Sequence, residues 1–415
     1  MFSKKQFYQL LKNEWILFLP FLLFYFFIVV FFSKDYYIGD EPRYLMFAEN
    51  VLQGFYSPPP PEINLWNGPG YPLIISLTKL LNLPEISIRL FNALWLYLAL
   101  ILVYKAIKLT INKNFRFTPV TLLGTYLPIY VMLPKILTEC FTWFLISLIT
   151  YLFVKYLNKQ IKLYHILLLS FFLFYLMITK VVFAYAIFFS MIILGIWYLK
   201  NRKKEILNAF FIFFLAILMS IPYLNYTYKL TGKLFYWSNA GSLSLYTMST
   251  PYPDENGSFM TPKYMAKNPN HQKEIDSIVT KLPALQMDEA LTKAALRNIK
   301  KHPAKYFKNW LSNLGRLFIG TPFFMKKNTA KSKLFAFINI LIISYLMYIN
   351  WQLFRLRKSI NYPLKILLIL FLIYLAGSSL VSAYPRMFYI TLPFWTTISF
   401  SILYFKKQKR AVSKQ

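Results

Sequence analysis

The sequence predicts an all-α integral membrane protein, and its composition and the spacing of its charges carry that prediction. The chain has 415 residues, of which 57% are hydrophobic and only 15% charged, whereas soluble domains are about 25% charged. This hydrophobicity also excludes a disordered chain. The formal net charge is +32. Because the basic residues lie in short clusters between apolar runs, the charge is typical of membrane loops and not of a nucleic-acid-binding surface.

Ten mostly apolar runs approach the roughly 20 residues that a helix needs to cross a bilayer. The first run follows three lysines, but it is long for a signal peptide and no small-residue cleavage site follows it. We therefore interpret it as a retained anchor. The predicted spans are 15–32, 86–104, 118–134, 136–154, 163–179, 181–199, 206–224, 334–354, 364–383 and 388–405.

The distribution of Lys and Arg sets the predicted orientation. With the N-terminus inside, the cytoplasmic segments hold 23 of the 47 basic residues and the short outer segments hold 7. The other 17 lie in one long outer segment, and long translocated segments largely escape this rule. We therefore expect both termini in the cytoplasm. The predicted regions are 1–224, a transmembrane core with a first extracytoplasmic loop at 33–85; 225–333, a large extracytoplasmic loop; and 334–415, C-terminal transmembrane helices and a basic tail.

Both large outer loops are predicted to contain amphipathic helices at the membrane interface. In the second loop, residues 310–324 are too short for an eleventh span and carry Arg316. Upstream, Asp288 and Glu289 open a helical pattern that ends near His302. Helical spacing of apolar residues favours a helix lying in the interface. These apolar positions are Phe307, Trp310, Leu311, Leu314, Leu317 and Phe318.

The ionisable residues predict a site at the outer membrane–water boundary. Six of the 15 carboxylates lie between residues 35 and 85, in the first outer loop. No predicted span has an ionisable residue near its middle, where transporters and proton relays place such groups. Arg89, Glu139, Lys180 and Arg386 all lie at the outer ends of spans. The three histidines lack metal-ligand spacing, and the single Cys140 permits no intrachain disulfide.

Asp40 has two interpretations at this level. It stands with Glu41 directly before Pro42, which is a good start for a helix, so its carboxylate could simply cap that helix. Alternatively, the carboxylate is held at the bilayer edge for chemistry, flanked by a second acid and by Arg43.

The charged residues of later segments also have more than one interpretation. Lys180 and Arg386 are either anchors that reach toward the lipid headgroups or functional cations. Glu139 is harder to explain as a bystander, because a carboxylate at the start of an apolar helix is costly unless it has a partner.

Several short motifs occur in an order that resembles the GT-C membrane glycosyltransferases. The nearest relatives by this resemblance are the protein O-mannosyltransferase, lipid A aminoarabinose transferase and Rgt-like group. The single motifs are short, and their order along nearly the whole chain carries the resemblance. They are Gly39-Asp40-Glu41-Pro42-Arg43-Tyr44, Asn67-Gly68-Pro69-Gly70-Tyr71-Pro72, Thr138-Glu139, Thr179-Lys180, Asn225-Tyr226 and Tyr384-Pro385-Arg386.

The resemblance implies a GT-C-like helical bundle that transfers a sugar, with inversion, from an undecaprenyl- or dolichyl-type phosphate donor. The acceptor would be a hydroxyl of a glycan, a lipid or a protein. Because the leaving phosphate is already a stable anion, the step needs a base for the acceptor proton and cations for the phosphate. No general acid is required.

The resemblance also assigns expected roles to residues. Asp40 is the expected base, with Glu41 as the runner-up or as its hydrogen-bond partner. A divalent cation (Mg or Mn), if one is used, would lie between Asp40 and Glu139. The expected phosphate ligands are Arg43, Lys180 and Arg386. The expected substrate cavity includes Tyr44, Glu139, Asn225 and Tyr384.

Two departures from the family limit what the resemblance implies. Aminoarabinose transferases have a Lys-Pro-Pro segment late in the first loop, where this chain has Asn67-Gly68-Pro69. We therefore do not expect that donor. The large soluble repeats of eukaryotic protein mannosyltransferases are also absent from the sequence, which argues against a protein acceptor.

The expected location is a bacterial inner membrane, with the active site on the extracytoplasmic face. The expected partners are the lipid-linked donor, the acceptor and membrane lipids, and no nucleic acid. A lipid-linked glycan flippase or exporter is one alternative, but it should show a polar central path or two related halves, and the sequence has neither. A polysaccharide polymerase or ligase is closer, although it should rely on arginines of later loops in place of the acidic pair.

Overall fold

The computed structural model is helical throughout the residues that it describes, which are 13–111, 118–157, 161–258, 269–320, 330–358 and 360–412. These residues contain no β-strand, which confirms the all-α prediction. The helices are α1 (Glu14–Leu17), α2 (Leu19–Phe32), α3 (Glu41–Leu52), α4 (Gly70–Leu80), α5 (Ile86–Ile111), α6 (Thr118–Gly124), α7 (Leu127–Tyr130), α8 (Glu139–Tyr156), α9 (Leu163–Thr179), α10 (Val182–Asn201), α11 (Lys204–Met219), α12 (Ile221–Thr231), α13 (Ala240–Met248), α14 (Pro269–Val279), α15 (Ala284–Lys301), α16 (Pro303–Leu314), α17 (Ala330–Leu356), α18 (Tyr362–Ser379), α19 (Pro385–Tyr389) and α20 (Leu392–Val412).

Several of these helices suit a membrane. Five in the described part of the chain, namely α5, α8, α10, α17 and α18, are long and apolar enough to cross a bilayer. Helices α11 and α12, bent by 42° at their junction, form a sixth if they are counted as one span. Helices α2 and α9 are apolar but shorter. The structure therefore supports a membrane-embedded helical protein, while the count of ten spans stays a prediction.

The predicted span 118–134 is not one continuous helix but is divided into α6 and α7. The carbonyl of Gly124, at the end of α6, would normally accept from the amide of residue 128, but Pro128 has no N–H. The hydroxyl groups of Tyr25 and Tyr130 donate to this carbonyl instead, at 2.8 and 2.7 Å. A buried carbonyl needs such donors. The predicted span 388–405 is likewise interrupted, at residues 390–391 between α19 and α20.

Helix α8 lies at the centre of the bundle and contacts α5, α9, α18 and α20. In the most apolar part of α8, 72% of the residues are buried, whereas only 17% are buried in α17. The exposed side of α17 carries large apolar residues, which are Phe337, Leu341, Met347, Trp351 and Phe354. An apolar face that no protein covers suits contact with lipid chains.

The segment between α12 and α17 forms a small helical unit with its own core. Its buried apolar residues come from α13, α14 and α15. The helix predicted to end near His302 is present and ends at Lys301, but α15 begins at Ala284, one turn before the predicted start at Asp288 and Glu289. The core residues are Leu243, Tyr246, Ile275, Leu291, Ala294 and Ala295.

Helix α16 and the π-helical turn Gly315–Ile319 that continues it include residues 310–319 of the predicted interfacial segment 310–324, and residues 321–324 lie outside the described part of the chain. Its apolar side chains Phe307 and Leu311 are 56% and 43% exposed, while polar residues on another face are buried. The helix is confirmed, and its inward polar face is a finding that the sequence did not predict. Its location at a membrane interface stays a prediction. The buried polar residues are Asn309, Ser312, Asn313 and Arg316.

The first outer loop folds as α3 and α4, and the helix predicted to begin at Pro42 is confirmed. The segment before α4 packs directly against the end of α9. A Cβ atom on Gly68 would lie far inside the contact distance of the Ile178 carbonyl oxygen, and one on Gly70 would lie 2.8 Å from the amide nitrogen of Thr179. The hydroxyl of Tyr175 donates to the Gly70 carbonyl at 2.8 Å. Glycine is therefore required here for a close approach of two backbones.

We expect Gly68→Ala to destabilise the protein, because the methyl group has no space against the Ile178 carbonyl. Overpacking of this kind typically costs about 1–3 kcal/mol of the free energy of unfolding. Gly241→Ala in α13 is the matched control, because a Cβ there meets nothing within 4 Å and alanine favours a helix by up to about 1 kcal/mol. Thermal unfolding in detergent measures both. Equal melting temperatures for the two variants would contradict the close packing.

Candidate functional site

Asp40 precedes the first turn of α3, but its side chain does not cap that helix. Its Oδ1 accepts a hydrogen bond from Nη2 of Arg43 at 2.9 Å, and its Oδ2 accepts one from Nη2 of Arg386 at 2.7 Å. The capping interpretation of the side chain is therefore wrong. The carboxylate instead joins the beginning of the chain to its last helices.

Glu139 and Lys180 extend this contact. Glu139 is the first residue of α8, and its Oε1 lies 2.9 Å from Nζ of Lys180 and 3.7 Å from Nη1 of Arg386. Lys180 follows the last residue of α9. The side chains of Asp40, Glu139 and Arg386 thus converge on one place. We call the group of Asp40, Arg43, Glu139, Lys180 and Arg386 the charged cluster.

The charged cluster is positive, with three cations against two carboxylates, so its formal charge is +1. Its two sides differ in exposure. The Glu139 side chain is 1% exposed, whereas those of Asp40, Arg43 and Arg386 are 18%, 25% and 27% exposed. A ligand that approaches from solvent therefore meets the Asp40 carboxylate, the two guanidinium groups and the Lys180 ammonium, which is 21% exposed, before it meets Glu139.

Electrostatics keep Asp40 ionised. Burial alone would raise its pKa, but the charge and hydrogen bond of Arg386, with the charges of Arg43 and Lys180, hold the pKa below its usual value. Burial would conversely lower the pKa of Arg386, yet the carboxylates of Glu139 and Asp40 raise it. The pair is therefore fully charged at neutral pH.

Glu41, the second acid of the motif, is used differently. It is buried, its Oε2 accepts from the backbone amide of Ile38 at 2.7 Å, and its Oε1 accepts from that of Ile136 at 2.8 Å. Neither of these contacts involves Asp40. Glu41 therefore joins the start of α3 to the loop before α8, which is a structural task.

Two of the predicted cavity residues lie beside the charged cluster. Tyr44 is buried and its hydroxyl accepts from Nδ2 of Asn67 at 3.0 Å. The guanidinium of Arg386 lies over the ring of Tyr384, 5.3 Å from its centre, a cation–π contact. Asn225, in contrast, is exposed on α12. The adjacent Tyr226 contacts the first outer loop.

Trp66 is a neighbour of the charged cluster that the sequence did not single out. The guanidinium of Arg43 lies 5.1 Å from the centre of the Trp66 ring. The sequence feature that could have pointed to Trp66 is its position directly before the motif that begins at Asn67. The contact orients Arg43 by a cation–π interaction in addition to the Asp40 carboxylate.

A divalent cation does not fit between Asp40 and Glu139. The guanidinium of Arg386 already bridges the two carboxylates, and both oxygens of Asp40 are engaged by arginines. In the part of the chain that the structure describes, no three His, Cys, Asp or Glu side chains are grouped as metal ligands. We therefore derive no chemistry through a metal.

Comparison of the chain with models of protein families and with curated proteins finds no match. The resemblance to GT-C glycosyltransferases therefore stays a prediction that rests on the ordered motifs. The geometry of the charged cluster is the independent observation on which a functional conclusion can be built.

The depressed pKa of Asp40 predicts a pH-dependent stability. A carboxylate whose pKa is lower in the folded state stabilises the protein above its unfolded pKa, about 3.9, and this contribution is lost as the pH falls through the folded value. Asp40→Asn should therefore lower the melting temperature relative to wild type at pH 7, and the difference should shrink below about pH 4. Asp35→Asn, at an exposed position of the same loop, is the control. A difference that is equal at pH 3 and pH 7 would contradict this account.

Proposed function

We propose that this chain is an integral-membrane glycosyltransferase that moves a sugar from a polyprenyl-phosphate carrier to an acceptor hydroxyl. Ten spans, two cytoplasmic termini and a site on the extracytoplasmic face of a bacterial inner membrane belong to the proposal. The observation that supports it best is the charged cluster, in which a carboxylate is held by two partly exposed arginines at one end of an apolar bundle.

The positive charge of the cluster favours an anionic ligand, and its place in an apolar bundle favours a lipid-linked one. A polyprenyl carrier cannot leave the bilayer, so its phosphate must be met at headgroup level. Arg43 and Arg386 each present a planar guanidinium, which matches phosphate oxygens better than a point charge does. The buried Glu139 contacts Arg386, and Lys180 pairs with Glu139 in turn.

The reaction follows from these groups. The acceptor hydroxyl attacks the anomeric carbon from the face opposite the phosphate, and a new carbon–oxygen bond forms as the bond to the phosphate oxygen breaks. The leaving electron pair stays on the phosphate, next to the arginines, and the acceptor proton goes to Asp40. The result is inversion at the sugar carbon. The protein supplies position and charge, not a covalent intermediate.

In the free protein, Asp40 and the donor phosphate would compete for the same arginines, because both oxygens of Asp40 accept hydrogen bonds from Arg43 and Arg386. A bound phosphate must draw at least part of this positive charge to itself. Asp40 then loses stabilisation of its charged form, so its pKa rises and it becomes a stronger base. The base would thus be most competent when the donor is present.

The direct experiment is transfer by the purified protein. We would incubate it with radiolabelled polyprenyl monophosphate sugars and polyprenyl diphosphate glycans, using cell-envelope material as the acceptor source. Label transferred from a monophosphate donor supports the proposal. Transfer from diphosphate-linked glycans alone would favour a polymerase or ligase, and movement of donor across the bilayer without transfer would favour a flippase.

We expect Asp40→Asn to separate binding from chemistry. Transfer should fall about 10²–10⁴-fold, the usual contribution of a general base. Polyprenyl phosphate should bind as tightly as in wild type or more tightly, because asparagine does not compete for the arginines. Quenching of intrinsic tryptophan fluorescence measures binding, and Asp35→Asn is the control. Near-normal turnover by Asp40→Asn would remove Asp40 from the mechanism.

We expect Arg386→Gln to weaken polyprenyl phosphate binding by about tenfold or more, since a charged hydrogen bond is worth about 1.5–3 kcal/mol. Arg297→Gln is a matched control, because Arg297 also pairs with a carboxylate, Glu274, but belongs to α15 and is 52% exposed. The same fluorescence titration measures both variants. Unchanged affinity in Arg386→Gln would assign the phosphate to other residues.

A further inference from the structure

The loop between α18 and α19 presents Arg386, and α16 binds almost the whole length of that loop. Nδ2 of Asn313 donates to the carbonyls of Ser379 and Val381 at 2.8 and 2.6 Å. Oδ1 of Asn313 accepts from the amide of Ala383 at 2.9 Å. One fully buried side chain thus satisfies three backbone groups of the loop.

Two further residues of α16 complete this contact. The hydroxyl of Tyr306 donates to the Leu380 carbonyl at 2.7 Å, and Nε1 of Trp310 donates to Oγ of Ser379 at 3.2 Å. Tyr306, Trp310 and Asn313 follow one another at helical spacing, so they share one face of α16. The carbonyls of three consecutive residues, 379–381, therefore all accept from side chains of this face.

The same helix holds a second loop in a similar way, which provides an internal comparison. Nδ2 of Asn309 donates to the carbonyls of Met248 and Thr250, both at 3.0 Å. Asn309 and Asn313 are equally buried, one turn apart, and each satisfies two carbonyls with its amide. Of these two asparagines, it is Asn313 that contacts the loop leading to Arg386.

Arg316 connects the two loops. Its Nη2 donates to Oδ1 of Asn313 and to the Gly257 carbonyl, both at 2.9 Å, and its Nη1 donates to the Asn256 carbonyl at 2.8 Å. Arg316 is itself buried. Asn313 is consequently fixed on both its donor and its acceptor side, and its amide orientation is determined by its partners.

We propose that Asn313 is the positioning residue for Arg386: it fixes the 379–383 backbone so that the guanidinium reaches Asp40 and Glu139. This inference rests on the proposed function in treating Arg386 as the phosphate ligand. Ala383, which Asn313 binds, is three residues before Arg386, so little chain remains in which a displacement could be absorbed. Without Asn313, three buried backbone groups would lose their partner, which costs more than an unformed bond.

The test compares Asn313→Ala with Asn309→Ala by hydrogen exchange and mass spectrometry. Asn313→Ala should lose more thermal stability than Asn309→Ala, because it leaves two carbonyls and the Ala383 amide unpaired, whereas Asn309→Ala leaves two carbonyls unpaired. Exchange is therefore compared at temperatures equally far below the melting temperature of each variant. In Asn313→Ala, the peptide containing Asp40, residues 36–47, should exchange at least about tenfold faster, because Arg386 no longer holds Asp40; a tenfold change corresponds to about 1.4 kcal/mol. In Asn309→Ala, the same peptide should exchange as in wild type.

Tyr306→Phe is the milder variant, should Asn313→Ala fail to fold. It removes only the donor to the Leu380 carbonyl and should raise exchange of residues 36–47 in the same direction by a smaller factor. Unchanged exchange of residues 36–47 in every variant that folds, or an equal increase in Asn309→Ala, would overturn the positioning role.

A double-mutant cycle of polyprenyl phosphate affinity provides a second test, because a loss of stability alone would not couple Asn313 to Arg386. Asn313→Ala should weaken polyprenyl phosphate binding about tenfold, and Asn313→Ala with Arg386→Gln should bind no more weakly than Arg386→Gln alone. Additive losses would count against the positioning role. If wild type binds no polyprenyl phosphate, the proposed function fails, and the exchange measurement still decides whether Asn313 positions Arg386.

Discussion

The ion pair between Asp40 and Arg386 joins two residues that are 346 positions apart in the chain, and the arrangement of the site depends on it. A partly buried ion pair contributes only when its geometry is good and its remaining hydrogen-bonding groups are satisfied. Each member here is held by another: Arg386 is backed by Glu139, and Glu139 by Lys180. Lys180 in turn follows the α9 terminus, against which the glycines of the first loop pack.

Buried asparagine and glutamate side chains hold the irregular segments that present these charges. Asn92 donates to the carbonyls of Leu133 and Lys135, and Glu41 accepts from the amide of Ile136. Both contacts fix the loop that leads into Glu139. Asn313 does the same for the loop that leads into Arg386. In a chain with so many apolar residues, buried loops have few backbone partners, so single polar side chains supply them.

Much of the charged cluster was predictable, because charges at the ends of apolar runs are costly and few. Glu139, Lys180 and Arg386 were identifiable in this way, and so was Arg89, which pairs with Glu85 outside the cluster. Asp40 and Arg43 were instead marked by the motif of the first outer loop. Glu41 shows that neighbours in the sequence need not share a site, because successive residues of a helix do not face each other. Its carboxylate accepts from backbone amides, whereas that of Asp40 accepts from arginines. Asn313 was missed, although Asn309, Asn313 and Arg316 recur at helical spacing and so mark a polar face of the predicted amphipathic helix.

The sequence by itself determined the helical class, the apolar character of the long helices and the placing of ionisable groups at their ends, because composition and periodicity are local properties. The tertiary structure alone decided that Pro128 leaves Gly124 to be satisfied by two tyrosines, and that α16 turns its polar face inward. It also decided which cation meets which carboxylate. Those outcomes depend on which distant segments pack together. Helical spacing alone can bring Arg43 to Asp40, but no local property brings Lys180 or Arg386 to a carboxylate until the bundle forms.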